Sequence, residues 1–79
     1  MPYIKKDKRW NLATGSYPVE VGDLNYLITT LILNYLKNME SYQKYNDVMG
    51  VLACIQAELY RRKISPYEDK KIFENGDVY

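Results

Sequence analysis

Tyr60-Arg61-Arg62-Lys63 is the densest group of chemically capable side chains in the chain, and Tyr67, Lys70 and Lys71 follow shortly after it. Guanidinium forks take phosphate oxygens by paired N–H bonds, ammonium groups add point charge, and a tyrosine face stacks a base or ribose. Thr29 and Thr30 offer hydroxyls that could reach a base or ribose. A helical threonine more often bonds a carbonyl of the preceding turn. The cations have a structural use as well, since positive charge in a last helical turn compensates the dipole and forms surface ion pairs. Anion binding and charge compensation therefore compete for the same residues.

Catalytic sets are poorly represented. Glu68 with Asp69, and Glu74 with Asp77, are paired carboxylates, but they lie among lysines and read as solvated charge. No nucleophile–base pair, phosphate-cradling glycine loop or calcium-loop spacing occurs. With one cysteine, Cys54, and no histidine, the usual zinc and iron ligand sets are excluded, as is an intrachain disulfide. A buried, inert thiol is the expected role of Cys54, because no imidazole is present to activate it. The chain is read as a non-enzyme without metal or cofactor.

Eleven basic against ten acidic side chains give a formal charge of +1, so no global field favours duplex nucleic acid, and any anion site must be local. The longest apolar run, Leu31 to Leu33, is far too short to span a bilayer, and the opening MPYIKKDKRW lacks the apolar core of a signal peptide. A soluble, reducing, cytoplasmic setting is the expectation. Nine tyrosines against one phenylalanine suit interfaces and ligand stacking.

The elements that must carry these residues are helical. In Ser41 to Ile64, Val48, Leu52, Ile55 and Leu59 recur at helical spacing with Val51 beside them, which predicts a helix over 42–64 capped by Ser41 or Asn46. Gly50, Ala53, Cys54 and Ala57 give it a small-residue surface that suits close helix approach. Ser65-Pro66 should stop it, since the residue before proline is driven out of the helical region. Residues 65–79 are then a charged tail, or a strap across a neighbour.

A first helix is expected over 22–39, with Asp23 as N-cap; Leu24, Leu27, Ile28, Leu31, Ile32, Tyr35 and Leu36 cover most of its circumference. Residues 1–21 lack a sustained period and form an extended arm whose Tyr3, Ile4, Trp10 and Tyr17 dock on its own helices or a neighbour's. The fold expected is a single all-α domain, an antiparallel helical hairpin with an N-terminal arm and a C-terminal tail. Two short greasy helices bury too little surface alone, so they assemble as a homo-oligomeric helical bundle.

MPYIKK, GDLNYLIT (22–29), YNDVMGVL (45–52), ELYRR (58–62) and PYEDKKIFENGDVY (66–79) carry a resemblance over nearly the whole chain to a family of small uncharacterised proteins of tailed bacteriophages and prophages. The departure is the turn-rich NLATGSYPVEV, between Trp10 and Val21. The resemblance implies a phage protein acting in the infected host's cytoplasm. By analogy of size and composition with small helical phage proteins, the expected function is sequestration of a cyclic-nucleotide or cyclic-ADP-ribose immune signal. The ligand would be held by Tyr60, Arg61, Arg62, Tyr67, Lys70 and Lys71 with Thr29 or Thr30. The competing expectation is a phage interaction factor that docks on a host or phage protein and takes no small molecule.

Overall fold

The computed structural model describes residues 1–38 and 41–79, and every regular element among them is helical: α1 Lys6–Ala13, α2 Val21–Leu36, α3 Tyr42–Leu59, a π turn at Tyr60–Ile64, and α4 Ser65–Asn75. The chain divides into two compact units, Met1–Lys44 and Tyr45–Tyr79. Met39, the last residue of the expected first helix, lies outside the described residues.

The first unit corrects the expectation of an extended arm, because residues 6–13 of it are helical. Asp7 sits in the first turn, where a negative charge meets the positive end of the dipole. At the other end Ser16 N–H bonds the Asn11 carbonyl at 3.0 Å and Gly15 N–H bonds Leu12 at 3.2 Å, with Gly15 at φ 110°. That pairing is a Schellman closure, which needs a left-handed residue and finds glycine. Only Leu12 of α1 is buried. Its transfer from water is worth about 2 kcal/mol, so hydrophobic burial alone does not hold α1 on α2.

Polar contacts supply the rest. The Lys8 ammonium lies 3.0 Å from Asp23 and 3.2 Å from Glu20, and the Arg9 guanidinium stands 5.7 Å from the Tyr26 ring centre while donating from Nε to the Ile4 carbonyl. Asp23 is 2% exposed and is not the N-cap of α2. Glu20 takes that position in extended conformation, and Asp23, three residues on, accepts the Glu20 and Val19 amides at 3.2 Å each. This is the side-chain half of a capping box, with the carboxylate inside the helix instead of ahead of it. Burial pushes the Asp23 carboxyl up, but the Lys8 ammonium and the two amides outweigh it and hold the group below its ordinary value. Lys8 is correspondingly raised, chiefly by its bonds to Asp23 and Glu20.

Gly22 is required by packing. A Cβ there would lie 2.9 Å from Ile4 Cγ2 and 3.4 Å from the Met1 carbonyl, so the N-terminal residues cross α2 where it has no side chain. Of the expected apolar belt on α2, Leu36 is buried, whereas Leu24, Leu31 and Tyr35 are more than half exposed. Ser41, not Asn46, opens α3, its hydroxyl accepting the Lys44 amide at 3.2 Å.

The second unit overturns the expected stop. Ser65 has φ −58° and ψ −47°, fully helical, and the helix runs through Pro66 into α4 as far as Asn75. A proline inside a helix removes one amide donor and presses its ring on the carbonyl four residues back. The turn before it therefore widens: Ser65 N–H reaches Tyr60 O, five residues back, and Pro66 sits in the first turn of α4, where its missing donor is harmless. The expected tail is thus mostly helix, ending at Gly76 with φ 91°. No side chain of Tyr45–Tyr79 is buried. Gly50 is open, with nothing within 4 Å of a Cβ built on it, and Cys54 is exposed, not buried as expected, because its helix face has no cover within the unit.

Candidate functional site

The expected cluster falls on the π turn and the first two turns of α4, and the structure sorts it into three small groups. Glu58 organises the first. Its Oε2 accepts from Arg61 Nη2 and from Arg62 Nε, each at 2.9 Å. The second joins Tyr60 and Glu68: the phenol donates to Glu68 Oε1 at 2.7 Å across the π turn. Accepting that proton, and lying close with its charge, Glu68 raises the Tyr60 phenol above its ordinary value. In the third, the Lys71 ammonium stands 5.6 Å from the centre of the Tyr67 ring and 3.3 Å from Glu74 Oε2. Lys63 and Lys70 make no ion pair among the described residues.

Consecutive residues on a helix leave it in different directions, so the four side chains Tyr60 to Lys63 fan around the rod, and only Arg61 and Arg62 bend to one point, the Glu58 carboxylate. All of these side chains are exposed. Exposed ion pairs of this kind contribute about 0–1 kcal/mol each, so the Glu58 fork is cheap to exchange for another anion. Between Glu58 and Lys71 five cations face three carboxylates, leaving the segment positive within a nearly neutral chain.

A shallow groove adjoins the segment, lined by Cys54, Ile55, Glu58, Leu59, Arg62 and Lys63. Its floor is aliphatic and its rim is charged. Glu58, Cys54 and Lys63 were not among the expected site residues. The signal for Glu58 was present in the chain, because a glutamate three and four residues ahead of two arginines is the favourable ion-pair spacing on a helix.

Thr29 and Thr30 lie on α2, in the other unit. The Thr29 hydroxyl donates to Asn25 Oδ1 at 2.9 Å, and that of Thr30 to the Tyr26 and Leu27 carbonyls at 3.0 and 3.1 Å. Both hydroxyl protons are thus engaged within their own helix. Among the described residues no group of three or more cysteine, aspartate or glutamate side chains could hold a metal ion, and no helix is long and apolar enough to cross a membrane.

Comparison with curated proteins and with solved structures gives no match. The DUF6899 family, a domain of unknown function, matches residues 1–78, and the chain belongs to that family.

Proposed function

We propose that this is a non-catalytic, phage-encoded binding protein that self-associates through its helices and withholds a phosphorylated nucleotide signal from a host defence effector in the infected cell. The signal is of the cyclic-nucleotide or cyclic-ADP-ribose class. The observation that carries the reading is the fork at Glu58: two guanidinium groups stand 2.9 Å from one carboxylate oxygen, at the spacing where a single anion serves both. A phosphate brings more charge and more acceptor oxygens to that place.

Because the cationic and aromatic side chains fan around one rod, enclosing a ligand takes side chains from more than one element. A homo-oligomeric bundle of antiparallel hairpins supplies them, with Tyr60 and Tyr67 stacking and Lys70 and Lys71 adding charge. Calorimetry of the full chain against cyclic dinucleotides, cyclic trinucleotides and cyclic ADP-ribose isomers tests the reading. No heat with any of them at micromolar protein would end it.

A second reading, a protein–protein interaction factor, is favoured by the row of uncovered aliphatic side chains on α3, with Ile55 57% and Leu59 53% exposed. Native mass spectrometry separates the two. Co-purified nucleotide mass supports the first, and a stoichiometric foreign protein with no small molecule supports the second.

A further inference from the structure

Trp10 is the chain's single tryptophan, and on α1 it is 70% exposed. The helix already packs on α2 through Leu12, the Lys8 ion pairs and the Arg9 guanidinium over Tyr26, and the indole takes no part in that contact. Lys6, four residues ahead of Trp10, shares its face one turn back and is exposed as well. Neither Lys6 nor Lys5 makes an ion pair among the described residues. The cations that stand over rings there are Arg9, Lys44 and Lys71, so no ammonium group caps the indole. Tyr3, just ahead of α1, and Tyr17, just after its closing turn, are more than three-quarters exposed.

Charge follows the same division between inner and outer sides. Residues 1–19 hold four cations and one carboxylate, Asp7. The next two carboxylates, Glu20 and Asp23, are both engaged by Lys8, which leaves Lys5 and Lys6 to the water. The outer side of α1 thus offers flat π faces together with unpaired ammonium groups. A second copy laid face to face would bring lysine against lysine. A bilayer calls for an aliphatic stripe, and α1 turns its only leucine inward. An acidic peptide would answer the ammonium groups and leave the rings in water, and a duplex keeps its base faces stacked inside. A single strand answers both, because every nucleotide carries a phosphate and an open base face.

We propose that α1, with Tyr3 and Tyr17 at its two ends, binds single-stranded nucleic acid, a base stacking on Trp10 while Lys5 and Lys6 take neighbouring phosphates. The surface lies in the first unit and is independent of the anion cluster in the second. Stacking accepts every base, so little sequence preference is expected.

The test uses the full chain and strands of about ten nucleotides, oligothymidylate and oligouridylate serving as the DNA and RNA arms. Because Trp10 is the one indole, its fluorescence reports the stack directly. At low salt at least one strand should quench it saturably at concentrations up to about 100 µM, and the arm that does so identifies the sugar. Affinity should fall with salt at a slope of about −1.4 in log K against log concentration, the value for two phosphates of a single strand, and Lys5→Gln with Lys6→Gln should flatten that slope. Trp10→Ala, followed by anisotropy of a labelled strand, should weaken binding about tenfold or more, with Trp10→Phe restoring part of it and circular dichroism showing helix unchanged in both. Absence of quenching by either strand would overturn the inference. So would equal binding of a duplex of the same length, of phosphatidylserine vesicles or of polyglutamate. Arg61→Ala with Arg62→Ala should leave strand binding as it was; its loss would put the strand on the second unit and overturn the assignment to α1.

Discussion

Two helical glycines provide an internal control on the packing. Replacing glycine by alanine in a helix interior gains up to about 1 kcal/mol, mainly because the unfolded chain loses freedom. That gain is common to both sites. At Gly50 a Cβ meets nothing within 4 Å, so Gly50→Ala should stabilise by about 0.5–1 kcal/mol, which for a chain of this size raises Tm by roughly 3–6 °C. At Gly22 the same carbon would stand 2.9 Å from Ile4 Cγ2 and 3.4 Å from the Met1 carbonyl. Overpacking of this kind costs about 1–3 kcal/mol. Gly22→Ala should therefore be destabilising by about 1 kcal/mol net, and the two variants should differ by about 1.5–2 kcal/mol.

The assay is urea denaturation followed by circular dichroism at one protein concentration, since self-association makes apparent stability concentration-dependent. A Gly22→Ala chain stabilised as much as Gly50→Ala would mean that the N-terminal residues do not seat on α2. A destabilised Gly50→Ala chain would mean that the small-residue face is tightly covered.

Acid should unfold the first unit in a defined window. Asp23 is held below its ordinary 3.8, so its stabilisation is present above that value and is lost as pH falls through the depressed one; a urea midpoint followed from pH 6 to 2 should drop below about pH 4, and Asp23→Asn should remove most of that dependence. Lys8 has the opposite sign: its contribution is complete below 10.5 and fades as pH rises through its elevated value, which Lys8→Gln should abolish in an alkaline titration. The Tyr60 phenol should titrate above 10.0 by carbon-13 resonance, and Glu68→Gln should bring it back down; an unshifted Tyr60 would mean that the bond across the π turn does not persist in solution. Glu58→Gln frees both guanidinium groups and should tighten binding of a phosphorylated ligand several-fold by calorimetry, whereas Arg61→Ala with Arg62→Ala should remove it; equal affinities in all three proteins would separate ligand binding from the Glu58 fork.

Helix was legible in the chain wherever periodicity is strong, as at Leu24 to Leu36 and Val48 to Leu59, because burial on one face imposes a repeat on sequence. Local rules also reached Ser41, whose cap is made by the residue itself. They failed at three places. Lys6–Ala13 has little apolar pattern, and its helix is held by Lys8 and Arg9 acting on α2, partners many residues away. Asp23 has the chemistry of a cap, but whether it precedes the helix or serves from inside depends on where Glu20 and Val19 lie. Pro66 carries a local rule against helix, and the long rod around it overrode that rule by widening one turn, at the cost of a single bond pattern. The residues proposed to grip an anion were chosen from side-chain chemistry alone. Their direction around the helix, and the carboxylates that occupy them, depended on the turn geometry that only the folded backbone sets.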